Sequence, residues 1–372
     1  MKTIVAETVM LGQEAFETLG DVEVIPDREI GPRHLADADA LVIRSKTKVT
    51  PELIENSPVQ FIGTATAGFE HIDFQTLKKN GIGWCAAPGC NADSVADYIT
   101  AALLHLARSQ GLELENKAIG IVGVGQVGSR VAKRANALGL RVLLNDPPRA
   151  TKEGNDGFQP LEKLLHESDI ITLHVPLVTE KPWPTLKMAD CRFFEQMKPG
   201  AVFINAARGK VLDSDALLHA KANRLISHAV LDVWDPEPQI RADVLAAADI
   251  ATPHIAGHSL EGKLNGTVQV YREACHFFEK EPTWNPAPLL PAIEVPELKI
   301  SSTGKTDQEI LAEAVAAVYD ISADQLSQTD IPNFDRLRAN YRIRREFKNT
   351  QVLLTEPRPD LEKRIENAGF KA

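Results

Sequence analysis

A glycine-rich turn near the middle of the chain constrains the fold more than any other feature. The turn runs Gly123-Val124-Gly125-Gln126-Val127-Gly128, between an apolar run at 118–122 typical of a buried strand and a helix-like segment at 129–138. A second apolar run ends at Asp146, 18 positions after Gly128. In a βαβ unit, backbone N–H groups of such a turn bind a pyrophosphate, and an acid at this spacing binds the ribose. We therefore expect a dinucleotide site; the alternative is an ordinary tight turn.

Asp146 also predicts which dinucleotide binds. A carboxylate at this position repels the 2′-phosphate of NADP, so the sequence favours NAD. Arg149 lies three residues further on. An arginine there would weaken the preference, because a guanidinium can accommodate the 2′-phosphate.

Charge and composition limit the classes of partner and compartment. The 372 residues carry a net charge of −10, which argues against nucleic acid or an anionic membrane as the main partner. The four cysteines form no CxxC pair, so we predict neither a disulfide framework nor a metal site. No apolar run approaches the roughly 20 residues of a membrane span, and the N-terminus reads as a strand. A soluble, cytoplasmic protein is expected.

The motif begins more than a hundred residues into the chain, so a folded unit is expected before it. Strand-like runs at 3–6, 22–25, 40–43 and 61–64 predict a parallel α/β unit in that first part. After the glycine turn, further strands at 170–173, 201–205, 229–232 and 250–252 each end in a polar or proline-containing loop. Ligands of open α/β sheets bind at such loops. A proline-rich stretch at 281–288 precedes a small α+β region.

That last region contains a basic segment, residues 333–348, with six arginines and lysines against two acids. One reading is a solvated helix face. The other is a surface that attracts anions, near a phosphorylated substrate or at a subunit contact.

Three loops in the second half carry residues suited to one reaction. Arg208 follows a strand beside Gly209, where a guanidinium can hold a carboxylate through two hydrogen bonds. His254 follows the last strand, and a histidine oriented by a carboxylate is the usual base for a hydroxyl proton. Asp235 and Glu237 share one loop, and spacing alone does not choose between them as that carboxylate. A base, a cation and a nicotinamide are the parts that oxidise a 2-hydroxy acid.

The series Arg208, Glu237 and His254, behind the glycine turn and Asp146, resembles that of the D-2-hydroxyacid dehydrogenases. The resemblance implies an α/β fold with two Rossmann-like parallel-sheet domains, in which an NAD domain is inserted into a split substrate domain. It implies a substrate domain at 1–93 and 257–285, an NAD-binding domain at 94–256, and a small α+β dimerisation domain at 286–372.

The resemblance also implies roles for single residues. His254 would exchange a proton with the substrate hydroxyl, Glu237 would orient the His254 imidazole, and Arg208 would hold the substrate carboxylate. Together with the glycine turn and Asp146, the NAD site would include Val175, Ala206, Ala207, Asp232 and Gly257. The substrate would be bound by Ser45, Thr66 and His258. Position 258 is histidine where relatives have tyrosine, which puts its role in doubt.

Further strings similar to one branch of the family, at 42–49, 63–68, 87–92 and 334–346, imply a small phosphorylated 2-hydroxy acid as substrate and a homodimer. Arg44 is the physical candidate for the phosphate, since a dianion favours a guanidinium; the alternative is an inter-domain ion pair. Two other functions stay open: a dehydrogenase of another hydroxy acid such as 3-phosphoglycerate, and a non-catalytic regulator that senses NAD.

Overall fold

The structure is a computed structural model that describes all 372 residues. It divides into two compact units, residues 1–92 with 259–292 and residues 93–258 with 293–372. The strands, in chain order, are β1 (Lys2–Ala6), β2 (Asp21–Ile25), β3 (Ala40–Ile43), β4 (Phe61–Thr64), β5 (Gly83–Cys85), β6 (Ala118–Val122), β7 (Arg141–Asn145), β8 (Ile170–Leu173), β9 (Ala201–Asn205), β10 (Ile226–Leu231), β11 (Ile250–Ala251), β12 (Glu297–Ile300) and β13 (Gln351–Leu354).

The helices are mostly short, and none combines the length and the apolar character needed to cross a bilayer. They are α1 (Gly12–Phe16), α2 (Pro51–Ile54), α3 (Phe74–Asn80), α4 (Ala92–Gln110), α5 (Gln126–Ala137), α6 (Pro147–Glu153), α7 (Leu161–Glu167), α8 (Cys191–Gln196), α9 (Ser214–Ala222), α10 (Ala242–Ala247), α11 (Leu260–Phe277), α12 (Asp307–Val318), α13 (Phe334–Ala339) and α14 (Pro359–Asn367).

The first unit is built on a five-stranded parallel sheet in the order β2-β1-β3-β4-β5. Strands β1, β3 and β4 are buried on both faces, as expected where helices cover a parallel sheet. The late helix α11 belongs to this unit and packs directly on β4. A Cβ at Gly63 would lie 2.2 Å from Val270 Cγ1, and one at Gly266 would lie 2.6 Å from the Ala65 carbonyl oxygen. Both glycines are therefore required for this close approach.

The second unit contains a six-stranded parallel sheet in the order β11-β10-β9-β8-β6-β7. The chain runs from β6 outward to β7 and then returns to β8 on the other side of β6. This reversal creates the crevice at which doubly wound sheets bind nucleotides. The predicted strands lie within a few residues of the observed ones. The expected fold class, α/β with Rossmann-like parallel sheets and a small C-terminal region, is confirmed.

The C-terminal residues pack on the second unit through a shared hydrophobic core. Strands β12 and β13 pair in parallel, and side chains of α12 and α14 are buried in one cluster with those of α4 and α5. Arg364 on α14 also donates to the Ala137 carbonyl oxygen at 2.8 Å. Residues 293–372 therefore share a compact unit with 93–258, and the division into three domains stays a prediction.

The basic segment differs from the solvated helix face considered from the sequence. Only α13 is helical, and the chain beyond it runs irregularly to residue 346. Arg344 is 3% exposed, so a solvated face is wrong for this residue. Its burial follows from partners distant in sequence, described below, which charge patterning alone does not reveal.

Candidate active site

The candidate residues of the second unit follow six strands of one parallel sheet. The glycine turn follows β6, Asp146 follows β7 and Val175 follows β8. The Ala206–Arg208 loop follows β9, and Asp232 and Glu237 follow β10. His254 follows β11. Because parallel strands end at the same edge of a sheet, all these loops lie along its carboxyl edge, where ligands bind in this architecture.

Glycine is present for different reasons at the three positions of the turn. Gly123 has φ of +88°, and a Cβ there would lie 2.7 Å from the His174 carbonyl oxygen. At Gly128 a Cβ would meet the Gly123 carbonyl oxygen at 2.0 Å. At Gly125 a Cβ would project into open space, so packing within the chain does not require that glycine.

The open space at Gly125 lies at the beginning of α5. Gly125 is the N-cap residue of this helix, and no side chain caps it. An uncapped helix N-terminus beside a residue without a side chain fits a pyrophosphate, since its N–H groups have no other side-chain acceptor. The residues present therefore fit the dinucleotide.

Asp146 is held in place by the glycine turn itself. One carboxylate oxygen accepts from Val124 N at 2.8 Å, and the other accepts from Arg149 N at 3.0 Å and so caps α6. The Arg149 guanidinium donates to both Glu153 carboxylate oxygens, at 2.9 and 2.6 Å, and to the Val124 carbonyl oxygen. Arg149 is therefore neutralised by Glu153, which leaves the charge of Asp146 to act on the cofactor.

Burial of the imidazole keeps His174, the residue after β8, neutral at ordinary pH. Burial lowers the pKa of His174 to about 3, and its Nε2 lies 3.0 Å from the Thr172 hydroxyl. Below about pH 6.5 the unfolded chain binds a proton at this residue that the folded chain does not. The free energy of unfolding should therefore fall as the pH decreases from 6.5 toward 3. In H174N this contribution to the slope should vanish in denaturant titrations; an unchanged slope would contradict the assignment.

The loop after β9 is fixed by the Asn205 side chain and by a close backbone contact at Gly209. Asn205 accepts from Ala207 N at 3.1 Å and donates to the Arg208 carbonyl oxygen at 3.1 Å. A Cβ at Gly209 would lie 1.8 Å from the Trp234 carbonyl oxygen, so only glycine lets this loop contact the one after β10. Arg208, half-buried, is thereby placed next to the loop that carries Glu237.

His254 and Glu237 form a hydrogen-bonded pair. His254 Nδ1 lies 2.8 Å from Glu237 Oε2, and Trp234 N donates to Glu237 Oε1 at 2.9 Å. Burial raises the pKa of Glu237, but the attraction of His254 and these hydrogen bonds bring that pKa below its ordinary value. A carboxylate in this position accepts the Nδ1 proton, so the lone pair of the imidazole is on Nε2. Of the two acids in this loop, Glu237 is the one bonded to His254.

The pair is accessible to small molecules. The side chains of His254 and Glu237 are 30% and 22% exposed, and Nε2 makes no hydrogen bond within the chain. His254 also has φ of +55°, a left-handed conformation that is costly for a residue with a Cβ. The backbone around it must therefore be strongly restrained.

Restraint comes first from Asp232, which is 1% exposed. Its carboxylate accepts from Ile255 N at 2.7 Å, from Ala256 N at 2.9 Å and from the Thr252 hydroxyl at 2.6 Å. Burial raises the pKa of Asp232, against the attraction of His254 and these donors. Asp232 thus anchors the backbone on either side of His254.

Arg344, from the C-terminal region, binds carbonyl oxygens of the same two residues, Ile255 and Ala256. One Nη atom donates to the Ala256 carbonyl oxygen at 2.6 Å, to that of Ile255 at 3.3 Å and to the Ser94 hydroxyl at 2.5 Å. The guanidinium lies 4.4 Å from the Tyr319 ring centroid. The peptides after His254 are consequently held between a buried carboxylate and a buried guanidinium.

The substrate-binding candidates of the first unit also follow strands. Arg44 and Ser45 come after β3, where Arg44 Nη1 lies 3.4 Å from the Thr8 carbonyl oxygen. Thr66 follows β4, and its hydroxyl hydrogen-bonds that of Thr64 at 2.7 Å. The Thr64 hydroxyl in turn lies 2.9 Å from His71 Nε2. Their roles toward substrate stay predictions.

The remaining candidates lie near the His254 loop or the glycine turn. Val175 follows His174, which Gly123 contacts closely. Gly257 and His258 continue the loop after His254, and the His258 ring centroid lies 6.3 Å from that of Tyr341. No group of three His, Cys, Asp or Glu side chains in the structure could hold a metal ion.

Sequence reasoning missed three residues that shape this site: Asn205, Arg338 and Arg344. Asn205 ends a buried strand with an amide, which is a signal for a structural hydrogen bond. Both arginines lie in the basic segment, whose charge is visible in the sequence but whose contact with the His254 loop arises only in the fold.

Comparisons with known proteins agree with this geometry. Residues 98–256 match the family of the D-isomer specific 2-hydroxyacid dehydrogenase, NAD binding domain, and residues 289–366 match a domain of unknown function, DUF3410. The erythronate-4-phosphate dehydrogenase of Yersinia enterocolitica is 43% identical over 95% of this chain and 94% of its own. That of Escherichia fergusonii is 44% identical over the same shares.

Among solved structures, D-lactate dehydrogenase from Aquifex aeolicus, complexed with NAD and lactic acid, superposes with a TM-score of 0.63 at 28% identity. The match covers 74% of this chain and 95% of that one. The sequence identity extends over nearly the full length of the curated relatives, and the fold and the NAD-binding domain agree with it. The chain therefore belongs to the erythronate-4-phosphate dehydrogenase family of the D-isomer specific 2-hydroxyacid dehydrogenases.

Proposed function

We propose that the chain oxidises 4-phospho-D-erythronate at C2, giving 2-oxo-3-hydroxy-4-phosphobutanoate, with NAD as the oxidant. The observation that carries this proposal is the hydrogen bond between His254 Nδ1 and Glu237 Oε2, which leaves Nε2 accessible as a base. Relatives named for this substrate, 43% and 44% identical, support the choice of hydroxy acid. The reaction belongs to the biosynthesis of pyridoxal 5′-phosphate.

The chain's own residues supply the proton transfer and the orientation. His254 Nε2 takes the C2 hydroxyl proton while C2 loses a hydride, and the hydroxyl becomes a carbonyl. Glu237 stabilises the imidazolium that forms, because its carboxylate is already hydrogen-bonded to Nδ1. Arg208 holds the substrate carboxylate. NAD, when bound, supplies the carbon that accepts the hydride.

We also propose the remaining predicted roles. The turn Gly123–Gly128, with Asp146, Val175, Ala206, Ala207, Asp232 and Gly257, contributes to the NAD site. Ser45, Thr66 and His258 bind substrate, and Arg44 is a candidate for its phosphate. The chain acts in the cytoplasm as a homodimer, which the resemblance of its C-terminal region supports.

Cofactor preference should follow from Asp146. Its carboxylate is fixed by Val124 N, and Arg149 is paired with Glu153, so a 2′-phosphate would meet an uncompensated negative charge. We expect kcat/KM with NAD to exceed that with NADP by about tenfold or more. In D146A the ratio should fall toward one. Equal use of both cofactors by the unaltered chain would mean that Arg149 overrides the carboxylate.

The substrate is tested by following NAD reduction with three compounds. These are 4-phospho-D-erythronate, 3-phosphoglycerate and unphosphorylated D-erythronate. We expect the highest kcat/KM with 4-phospho-D-erythronate. A preference for 3-phosphoglycerate would keep the reaction class and overturn the substrate. No turnover of any of the three, with NAD binding intact, would favour a regulator that senses the cofactor.

A further inference from the structure

Arg338 on α13 lies beside the catalytic pair with most of its donors unused. Its Nε donates to the His254 carbonyl oxygen at 3.2 Å. Its two terminal nitrogens have no hydrogen-bond or ion-pair partner in the chain, although the residue is half-buried. A guanidinium offers five N–H groups, so Arg338 retains a forked pair of donors.

Arg338 makes no direct ion pair with the nearby acid, Glu237. Both Glu237 oxygens are already bonded, one to Trp234 N and the other to His254 Nδ1. The attraction of Arg338 nevertheless contributes to lowering the pKa of Glu237, so the cation lies within electrostatic reach of the pair. A partly desolvated guanidinium with no direct ion-pair partner is stabilised when an anion binds to it.

Two other arginines of this segment direct a terminal nitrogen at acceptors within the chain. Arg342 pairs with Asp324 at 3.0 Å, and Arg344 donates to the Ile255 and Ala256 carbonyl oxygens. Arg338 differs from these two in that neither of its terminal nitrogens is bonded within the chain.

We propose that Arg338 binds the phosphate of the substrate, within the same chain as His254. The inference rests on the proposed function, in which Arg208 takes the carboxylate and His254 contacts the C2 hydroxyl. The phosphate is then a few bonds from C2, and a dianion favours the forked donors that Arg338 offers. This assigns a substrate-recognition role to the region 289–366, which matches a domain of unknown function.

The test compares R338M with R336M as a matched control. Arg336 lies on the same short helix and is exposed, so its loss should leave kcat/KM unchanged with both 4-phospho-D-erythronate and D-erythronate. In R338M, kcat/KM for 4-phospho-D-erythronate should fall about 10- to 100-fold, mainly through KM. With D-erythronate, kcat/KM should change by less than about threefold. R338K should lie between, because lysine keeps the charge and loses the fork.

Several outcomes would overturn the inference. An equal fall with both substrates would mean that Arg338 only positions His254 through its carbonyl oxygen. The ratio of kcat/KM with 4-phospho-D-erythronate to kcat/KM with D-erythronate is the quantity to compare. If this ratio is unchanged in R338M but falls in R44M, the phosphate binds at Arg44. If D-erythronate reacts too slowly, inorganic phosphate as a competitive inhibitor gives the same comparison, and its inhibition constant should rise in R338M alone. Failure of the unaltered chain to oxidise 4-phospho-D-erythronate would instead remove the proposed function.

Discussion

Replacement of His254 by alanine should lower kcat by about 10²- to 10⁴-fold, the contribution typical of a positioned general base. His254 is the side chain at the carboxyl edge of the sheet whose ring is fixed by a carboxylate on one nitrogen and open on the other. Without it, the C2 hydroxyl proton has only water as acceptor. NAD affinity should stay close to normal, because the glycine turn and Asp146 do not depend on His254.

Steady-state kinetics and the binding of reduced cofactor, followed by fluorescence, separate these two effects. H219A serves as the control, since His219 lies exposed on α9 and its ring hydrogen-bonds only with Asn223. E237Q should show a smaller loss than H254A, because the imidazole remains while its orienting charge is removed. Near-normal turnover in H254A would remove this residue from the mechanism.

Replacement of Arg344 by methionine should lower the free energy of unfolding by about 3 kcal/mol. Methionine keeps much of the volume but removes the charged donor of the Ile255 and Ala256 carbonyl oxygens and of the Ser94 hydroxyl. These carbonyl oxygens keep one neutral donor each, His258 N for Ile255 and the Ser94 hydroxyl for Ala256. Hydrogen bonds to a charged group contribute roughly 1.5–3 kcal/mol each. Asp232 would also lose the attraction of an opposite charge.

Denaturant unfolding of R344M and R342M provides the comparison. Arg342 lies two residues earlier and pairs with Asp324, but its own side chain is 45% exposed, so its loss should lower the free energy of unfolding less than the loss of Arg344 does. Equal free energies of unfolding for R344M and the unaltered chain would contradict the stabilisation of the His254 loop by Arg344.

The sequence predicted the arrangement of the sheet edge because local signals were sufficient there. The apolar run, the glycine turn, the helix and Asp146 follow one another in an order that only a βαβ unit satisfies. An aspartate before a helix is a typical cap, and the Asp213 carboxylate accepts from Asp215 N and Ala216 N at the start of α9. These features depend on neighbours within a few residues, so pattern and propensity describe them well.

Other features depend on contacts between distant parts of the chain and could not be read from spacing. Asp235 and Glu237 lie two residues apart, and the choice between them depends on how the loop after β10 turns toward His254. Arg344 has a charge that predicts exposure, whereas its burial requires carbonyl groups almost ninety positions away. Arg338 is similar, because its partner is the carbonyl oxygen of His254.

The C-terminal region therefore contributes to the candidate active site as well as to the core of its unit. Arg338 and Arg344 both donate to backbone carbonyls of residues 254–256. Any change that displaces this region should alter the geometry of the His254 loop.

The most direct test of the account is the fate of the hydrogen on C2 of the substrate. The unaltered chain would be incubated with NAD and 4-phospho-D-erythronate carrying deuterium at C2, and the reduced cofactor would be examined by mass spectrometry. The account predicts one deuterium in each molecule of reduced cofactor formed, with the 2-oxo acid as co-product. Reduced cofactor without deuterium, or none at all, would contradict hydride transfer from C2.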